Sequence, residues 1–140
     1  MLTLNVGCGI HSLISEGYVN CDIKKVANGS TFVLCDGQHL PFRERAFDRV
    51  ICWHVIEHVK NPKLLLREII RVCFGSANVR CPHRFGWKAK GPWHLSHFKA
   101  SWFNKELTAL GVLFTVKCNY YQKFFLLALP DELEVDIYIG

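Results

Sequence analysis

At 140 residues the chain has the size of one ordinary domain, and residues 1–140 are read as a single domain. Half of it is hydrophobic and its formal net charge is +5, which excludes a disordered chain, and no run approaches the ~20 continuous apolar residues that a membrane-spanning helix needs. Residues 1–6 lack the basic region and long apolar run of a signal peptide, so the expectation is a cytoplasmic protein with no membrane role and seven reduced, dispersed cysteines.

Residues 2–6 form a short apolar run ending at Gly7-Cys8-Gly9, the pattern of a buried strand entering a tight turn. Residues 11–16 leave room for little more than one helical turn before Gly17, so the first helix is reduced. Residues 18–23 read as a second strand, Asn28-Gly29 as a turn, and residues 30–35 as a third strand ending at Asp36-Gly37. Residues 47–53 form a fourth. Asn61 as N-cap and Pro62 at the first helical position begin a helix. Leu65, Ile69 and Val72 share one of its faces, backed by Leu66, Ile70 and Cys73, and Gly75 closes it. Residues 77–81 predict a fifth strand stopped by Pro82. Residues 82–100 carry Gly86, Gly91 and Pro92 and read as a long loop, a feature that is usually functional or a lid. Ser101 is positioned to cap a helix with Phe103, Leu107 and Leu110 on one face and Gly111 at its end. Residues 112–117 and 133–139 read as the last two strands. This alternation predicts an α/β, Rossmann-like domain. Its central sheet is mostly parallel and flanked by helices on both faces, with a reduced first helix and an antiparallel C-terminal strand.

In such sheets ligands bind beyond the carboxyl ends of the strands. Gly7 and Gly9 leave no Cβ between the backbone and a ligand. Asp22 ends the second strand, where a carboxylate can accept hydrogen bonds from both ribose hydroxyls. A dinucleotide site would want a glycine at position 12 and a full helix after it, whereas this chain has Ser12 and a stub. A nucleoside without a pyrophosphate fits better. Asp36 ends the third strand, placed to receive the exocyclic amine of an adenine. Taken singly, each acid reads as a cap or turn former; together the three strand tips read as a nucleoside pocket.

The run Cys35-Asp36-Gly37-Gln38-His39-Leu40-Pro41-Phe42, then Ala46-Phe47-Asp48-Arg49-Val50-Ile51-Cys52-Trp53-His54-Val55-Ile56-Glu57-His58-Val59 and the helix begun by Asn61-Pro62, resembles class I S-adenosylmethionine-dependent methyltransferases. The detailed likeness is to their type 11 group and spans residues 2–81. The resemblance implies S-adenosylmethionine as cofactor. It implies that Gly7, Cys8 and Gly9 line the methionine end, with Asn5 below them. Asp22 and Ile23 would meet the ribose, Asp36, Gly37 and Gln38 the adenine, and Trp53 and His54 the sulfonium and acceptor side. Two positions depart from the family: Asn5 stands where an acid is usual, and His11 where a third glycine is common.

Methyl transfer asks chiefly for alignment and exclusion of water, with a base only where the acceptor must lose a proton. His54 and His83 are the candidates for that role, ahead of Glu57, His58, His94 and His97; each also reads as an ordinary packed or surface residue. Glu57-His58 can equally cap the start of a helix. Cys81, His83, His94 and His97 have zinc-ligand chemistry but match no closed structural spacing, so no metal is expected. Between Glu68 and Glu106 no acid occurs, while seven Lys or Arg residues do, together with Phe85, Trp87, Trp93, Phe98 and Trp102; this segment reads as an acceptor surface or a solvated face.

The expected function is transfer of a methyl group to an unidentified oxygen or nitrogen acceptor in a small molecule, protein or RNA. A homodimer or a partner subunit is compatible with it. The competing reading is an inactive methyltransferase-like binding module or subunit, associated with nucleic acid. Cys52-Trp53-His54-Val55 lacks the Asp/Asn-Pro-Pro-aromatic tetrapeptide of amino-directed DNA methyltransferases, which lowers a DNA-base acceptor.

Overall fold

A computed structural model of the chain describes residues 1–9, 18–25, 31–122 and 128–140. Seven strands, β1 (Thr3–Val6), β2 (Tyr18–Asp22), β3 (Phe32–Leu34), β4 (Phe47–Trp53), β5 (Cys73–Pro82), β6 (Leu113–Gln122) and β7 (Ala128–Tyr138), form one sheet in the order β3-β2-β1-β4-β5-β7-β6. Strands β1 to β5 pair in parallel, and β7 runs antiparallel to both of its neighbours. The mostly parallel Rossmann-like sheet with an antiparallel C-terminal strand is as the sequence predicts.

Helix α1 (Pro62–Val72) starts where expected, with the Asn61 side chain accepting the Leu64 amide at 3.1 Å. It ends earlier than expected. Cys73 is already extended and β5 begins there, so Gly75 does not close the helix but lies inside the strand. Any Cβ at Gly75 would collide with the Asp48 carbonyl, so glycine serves the close approach of β5 to β4 beside a register shift between Phe47 and Arg49. Helix α2 (Ala100–Ala109) has Lys99 at its N-cap with no side-chain cap, and Ser101 falls inside its first turn rather than capping it. Gly111, at φ +70°, takes the left-handed conformation that ends α2.

Alternate strand residues, including Leu4, Val6, Val50, Cys52, Val79, Leu133 and Val135, meet Leu65, Leu66 and Ile69 of α1 and Phe103 and Leu107 of α2 in one core. Each such side chain contributes about 1.5–3 kcal/mol by leaving water. Both described helices therefore pack on the same face of the sheet. By alternation the other face carries Asn5, Asn20, Asn78, Arg80, Glu134 and Asp136; Asn5 bonds Asn20, and Asn78 bonds both Glu134 and Asp136. The reduced first helix expected over residues 11–16, with His11 and Ser12, and the Asn28-Gly29 turn lie outside the described residues.

Residues 82–100, expected as a loop, include a short 3₁₀ turn at Trp87–Lys90 and are fastened to the body. His83 bridges Phe98, and the Leu95 and Ser96 amides donate to the Glu57 carbonyl at 2.7 and 3.1 Å. Cys21, Cys35, Cys52, Cys73, Cys81 and Cys118 are free thiols. Among the described residues no helix is long and apolar enough to cross a membrane.

Candidate functional site

The carboxyl ends of β1 to β4 open onto a cavity of about 620 Å³. Gly7 and Gly9 reach it from the β1 turn, Asp22 and Ile23 from the tip of β2, Asp36, Gly37 and Gln38 from the exit of β3, and His54 from the exit of β4. Strand order explains the convergence. The chain leaves β1 for β2 on one side and returns to β4 on the other, so the tips of β1 and β4 part around a crevice.

The β1 turn is held by the Gly7 and Cys8 amides, which both donate to the Cys21 carbonyl at 2.8 and 3.0 Å. Gly7 and Gly9 adopt φ of +69° and +61°. The Gly9 amide donates to Asp22 Oδ2 at 2.9 Å while the Lys24 amide donates to Oδ1 at 3.0 Å, so Asp22 ties the glycine turn to the β2 tip. Asp36 Oδ1 accepts the Gln38 amide at 2.9 Å, and the Gln38 side-chain nitrogen donates to both Asp36 oxygens at 3.2 Å. Gln38 Oε1 accepts the Asn61 amide at 2.7 Å, which joins this segment to the start of α1.

Residues 36–42 are fastened from below by an ion pair in α1. Arg71 Nε donates to Glu68 Oε1 at 2.6 Å, and the same guanidinium donates to the Phe42 and Leu40 carbonyls at 2.8 and 3.0 Å. Glu68 Oε2 accepts the Leu40 amide at 2.8 Å. The Arg71 hydrogen bond, aided by the Leu40 amide, holds the Glu68 carboxyl below the usual carboxylate range.

His54 leaves β4 at φ +57°, a conformation that a non-glycine residue keeps only when its surroundings enforce it. Its amide donates to the Arg80 carbonyl at 2.8 Å. Its Nε2 lies 2.9 Å from Glu132 Oε1 and its Nδ1 3.5 Å from Glu57 Oε1. The Glu57 contact raises the affinity of the imidazole for its proton, against burial and the Lys88 charge, which lower it. Glu57 itself is 2% exposed, and among the described residues neither carboxylate oxygen has a hydrogen-bond partner.

Four sequence candidates lie away from the lining. The Asn5 side chain donates to Asn20 Oδ1 at 3.1 Å on the polar face of the sheet. Cys8 is half-buried in the turn without lining the cavity. Trp53 points to the polar face, where its Nε1 donates to Asn78 Oδ1 at 2.6 Å and the Arg80 guanidinium stacks 4.4 Å from its ring. His83 sits beside Phe85, its basicity lowered by burial and by the Lys99 and Arg84 charges. Cys81 is buried in the core and does not gather with His83, His94 and His97. Of the other lining residues, His58 is among the lesser candidate bases of the sequence, while Lys60 and Leu95 are not singled out by it. His58 was within reach through its place in the β4 exit; Leu95 had no local signal. The basic segment is partly neutralised by the acidic C-terminal strand, with Arg80 2.7 Å from Glu134 and Lys88 3.9 Å from Asp131.

Comparison with known proteins points the same way as the strand order. The family described as "Methyltransferase domain" matches residues 4–75. No curated protein matches the chain in sequence. Among solved structures, the YcgJ protein of Bacillus subtilis superposes with a TM-score of 0.74 at 14% identity, over 99% of this chain and 92% of that one. A Haloferax volcanii methyltransferase solved with a methyltransferase activator gives 0.72 at 12% identity, over 99% and 83% of the two chains. The magnesium protoporphyrin IX methyltransferase of Synechocystis, solved with bound S-adenosylmethionine, gives 0.70 at 15% identity, over 100% and 70%. At these identities the likeness is one of fold.

Proposed function

This chain belongs to the methyltransferase-domain family, and from that premise we propose that its cleft binds S-adenosylmethionine and that it methylates an oxygen or nitrogen acceptor. The observation carrying the reading is the convergence of the Gly7–Gly9 turn, Asp22 and Asp36 onto one cavity of about 620 Å³, a volume typical of small-molecule sites. The donor and acceptor chemistry fits an adenosine. Asp22 already accepts two backbone amides, but an ionised carboxylate offers roughly four lone-pair sites, so two remain for the ribose hydroxyls. Asp36 accepts three bonds from Gln38 and keeps about one such site for an exocyclic amine. Gly7 and Gly9, which line the cavity without a side chain, suit the methionine end of the cofactor.

The cofactor supplies an electrophilic methyl on a sulfonium; the protein supplies alignment. His54 is the side chain we assign to the acceptor side, because the exit of β4 sets it at the rim of the cleft and Glu57 and Glu132 fix its ring. His83 has no part in this reading. Acceptor choice by a second subunit belongs to the proposal, on the pattern of the H. volcanii methyltransferase and its activator.

Calorimetric titration with S-adenosylmethionine and S-adenosylhomocysteine tests the proposal. Saturable one-site binding of both is expected. No detectable heat at millimolar ligand sinks it. His54→Ala is expected to lower turnover at least tenfold while changing cofactor affinity less than threefold.

A further inference from the structure

Beside the cleft, the side chain of Glu57 presents an unusual arrangement. It is 2% exposed and, among the described residues, lacks a hydrogen-bond partner on either oxygen. A buried carboxylate without hydrogen bonds needs a proton or a cation close by to offset its lost hydration. The groups facing it are imidazoles: His54 Nδ1 at 3.5 Å and His58 Nε2 at 3.9 Å, with His94 beyond. One ligand atom from each of Glu57, His58 and His94 lies within 4.8 Å of the others. The His58 and His94 rings are 4.8 Å apart, centroid to centroid, at 71°.

We propose that Glu57, His58 and His94 form a binding site for one divalent transition-metal ion of the zinc class at the rim of the cleft. Two further features support it. His58 Nδ1 bonds the Trp93 carbonyl at 2.9 Å, and His94 Nδ1 bonds the Ala89 carbonyl at 3.1 Å. A carbonyl only accepts, so in both rings the hydrogen sits on Nδ1, and the neutral ring keeps a lone pair on Nε2. Orientation of a ligating imidazole by a backbone carbonyl on its other nitrogen is how metal-binding histidines are generally held. The ligand-bearing segments are also locked together, since the Glu57 carbonyl accepts the Leu95 and Ser96 amides, the residues next to His94.

Bonds of ~2.0–2.1 Å to a central ion bring tetrahedral ligand atoms to about 3.4 Å from one another. The ligand atoms, now within 4.8 Å of one another, must draw together by up to about 1.4 Å when the ion binds. Two imidazoles and one carboxylate favour zinc, cobalt, nickel or ferrous iron over magnesium or calcium, which prefer all-oxygen shells. Three protein ligands leave a position for water or for an acceptor oxygen, and His58 and Leu95 line the cleft. That last use, presenting an oxygen to the methyl donor, rests on the methyltransferase reading; binding of the metal does not.

The test is a titration of chelator-stripped, fully reduced full-length protein with cobalt(II), followed by its visible absorption, and with zinc(II) against a chromophoric chelator. No cofactor is present. One equivalent should bind with micromolar or tighter affinity and without a thiolate-to-cobalt charge-transfer band. Glu57→Gln, which keeps the side-chain volume, and His94→Ala, at a half-buried site, should each weaken binding about a hundredfold. Zinc should raise the melting temperature of the parent protein but of neither variant. Unchanged affinity in both variants, binding only with a thiolate band, or no binding at high micromolar metal would overturn the site. Loss of S-adenosylmethionine binding with metal binding intact would instead count against the cleft alone.

Discussion

Gly7 and Gly9 share a left-handed backbone but not a neighbourhood, and that difference can be measured. Among the described residues a Cβ at Gly9 meets nothing within 4 Å, so Gly9→Ala carries chiefly the conformational strain of φ +61°, about 1–2 kcal/mol. A Cβ at Gly7 would collide with Val55 Cγ2, so Gly7→Ala adds overpacking to strain and should cost about 2–4 kcal/mol. Denaturant unfolding of the two variants should give that order; equal losses would mean that Val55 yields freely. Asp22→Ala and Asp36→Ala should each weaken S-adenosylmethionine binding tenfold or more, about 1.4 kcal/mol, with near-parental unfolding midpoints. Unaltered affinity in both would show that the nucleoside lies elsewhere. These residues were legible in the sequence because a tip position follows directly from where a strand ends. The family resemblance places Trp53 toward the cleft, whereas the pattern along β4 itself points the other way. Cys52 lies in the core, so alternation turns Trp53 to the opposite face, where it meets Asn78.

At the scale of elements, α1 shows what local chemistry can and cannot specify. Its start is written in two residues, Asn61 and Pro62. Its end is not, because Gly75 looks like a helix terminator and is in fact a spacer between two strands, a role set by the Asp48 carbonyl on the neighbouring strand. Ser101 fails for a similar reason: α2 starts at Ala100, two residues earlier than a Ser101 cap would set it, and the helix settles without a side-chain cap. The Glu68–Arg71 pair was invisible as well, since its partners Leu40 and Phe42 are about thirty positions away along the chain. Yet it fastens residues 36–42 beside the cavity. Glu68 binds its proton less readily in the folded state than in the unfolded one. Its contribution is therefore complete above the ordinary carboxylate pKa of about 4.3 and fades as the pH falls through the lower folded value. Glu68→Gln should cost about 1–3 kcal/mol at neutral pH and flatten the acid limb of a stability–pH profile. A variant with the parental slope below pH 5 would show that the pair contributes nothing.

For the molecule as a whole, alternation of strands and helices gave the class of sheet, and the order β3-β2-β1-β4-β5-β7-β6 then brings four separate stretches of chain to one crevice. What no local pattern conveys is the return of residues 91–98 onto the turn after β4, which sets Leu95 on the cavity and His94 near Glu57. Nor does composition show that the basic stretch and the acidic tail face one another across β5 and β7. The cleft thus draws on the β1–β4 half of the sheet and on this returning segment, while the β6–β7 hairpin stands outside it. Cofactor binding should therefore stabilise the two halves unequally. At a hundred times its dissociation constant a ligand adds about 2.7 kcal/mol to global stability, or roughly 8–10 °C in melting temperature for a chain of this length. In hydrogen exchange under native conditions, added protection should concentrate in amides of residues 7–9, 22–24, 36–38 and 54–60, whose local openings the ligand must suppress. Residues 113–122 of the hairpin should change only where they exchange by global unfolding. Uniform protection across both halves would mean that the sheet opens as one unit, and protection confined to β6 and β7 would place the ligand outside the cleft.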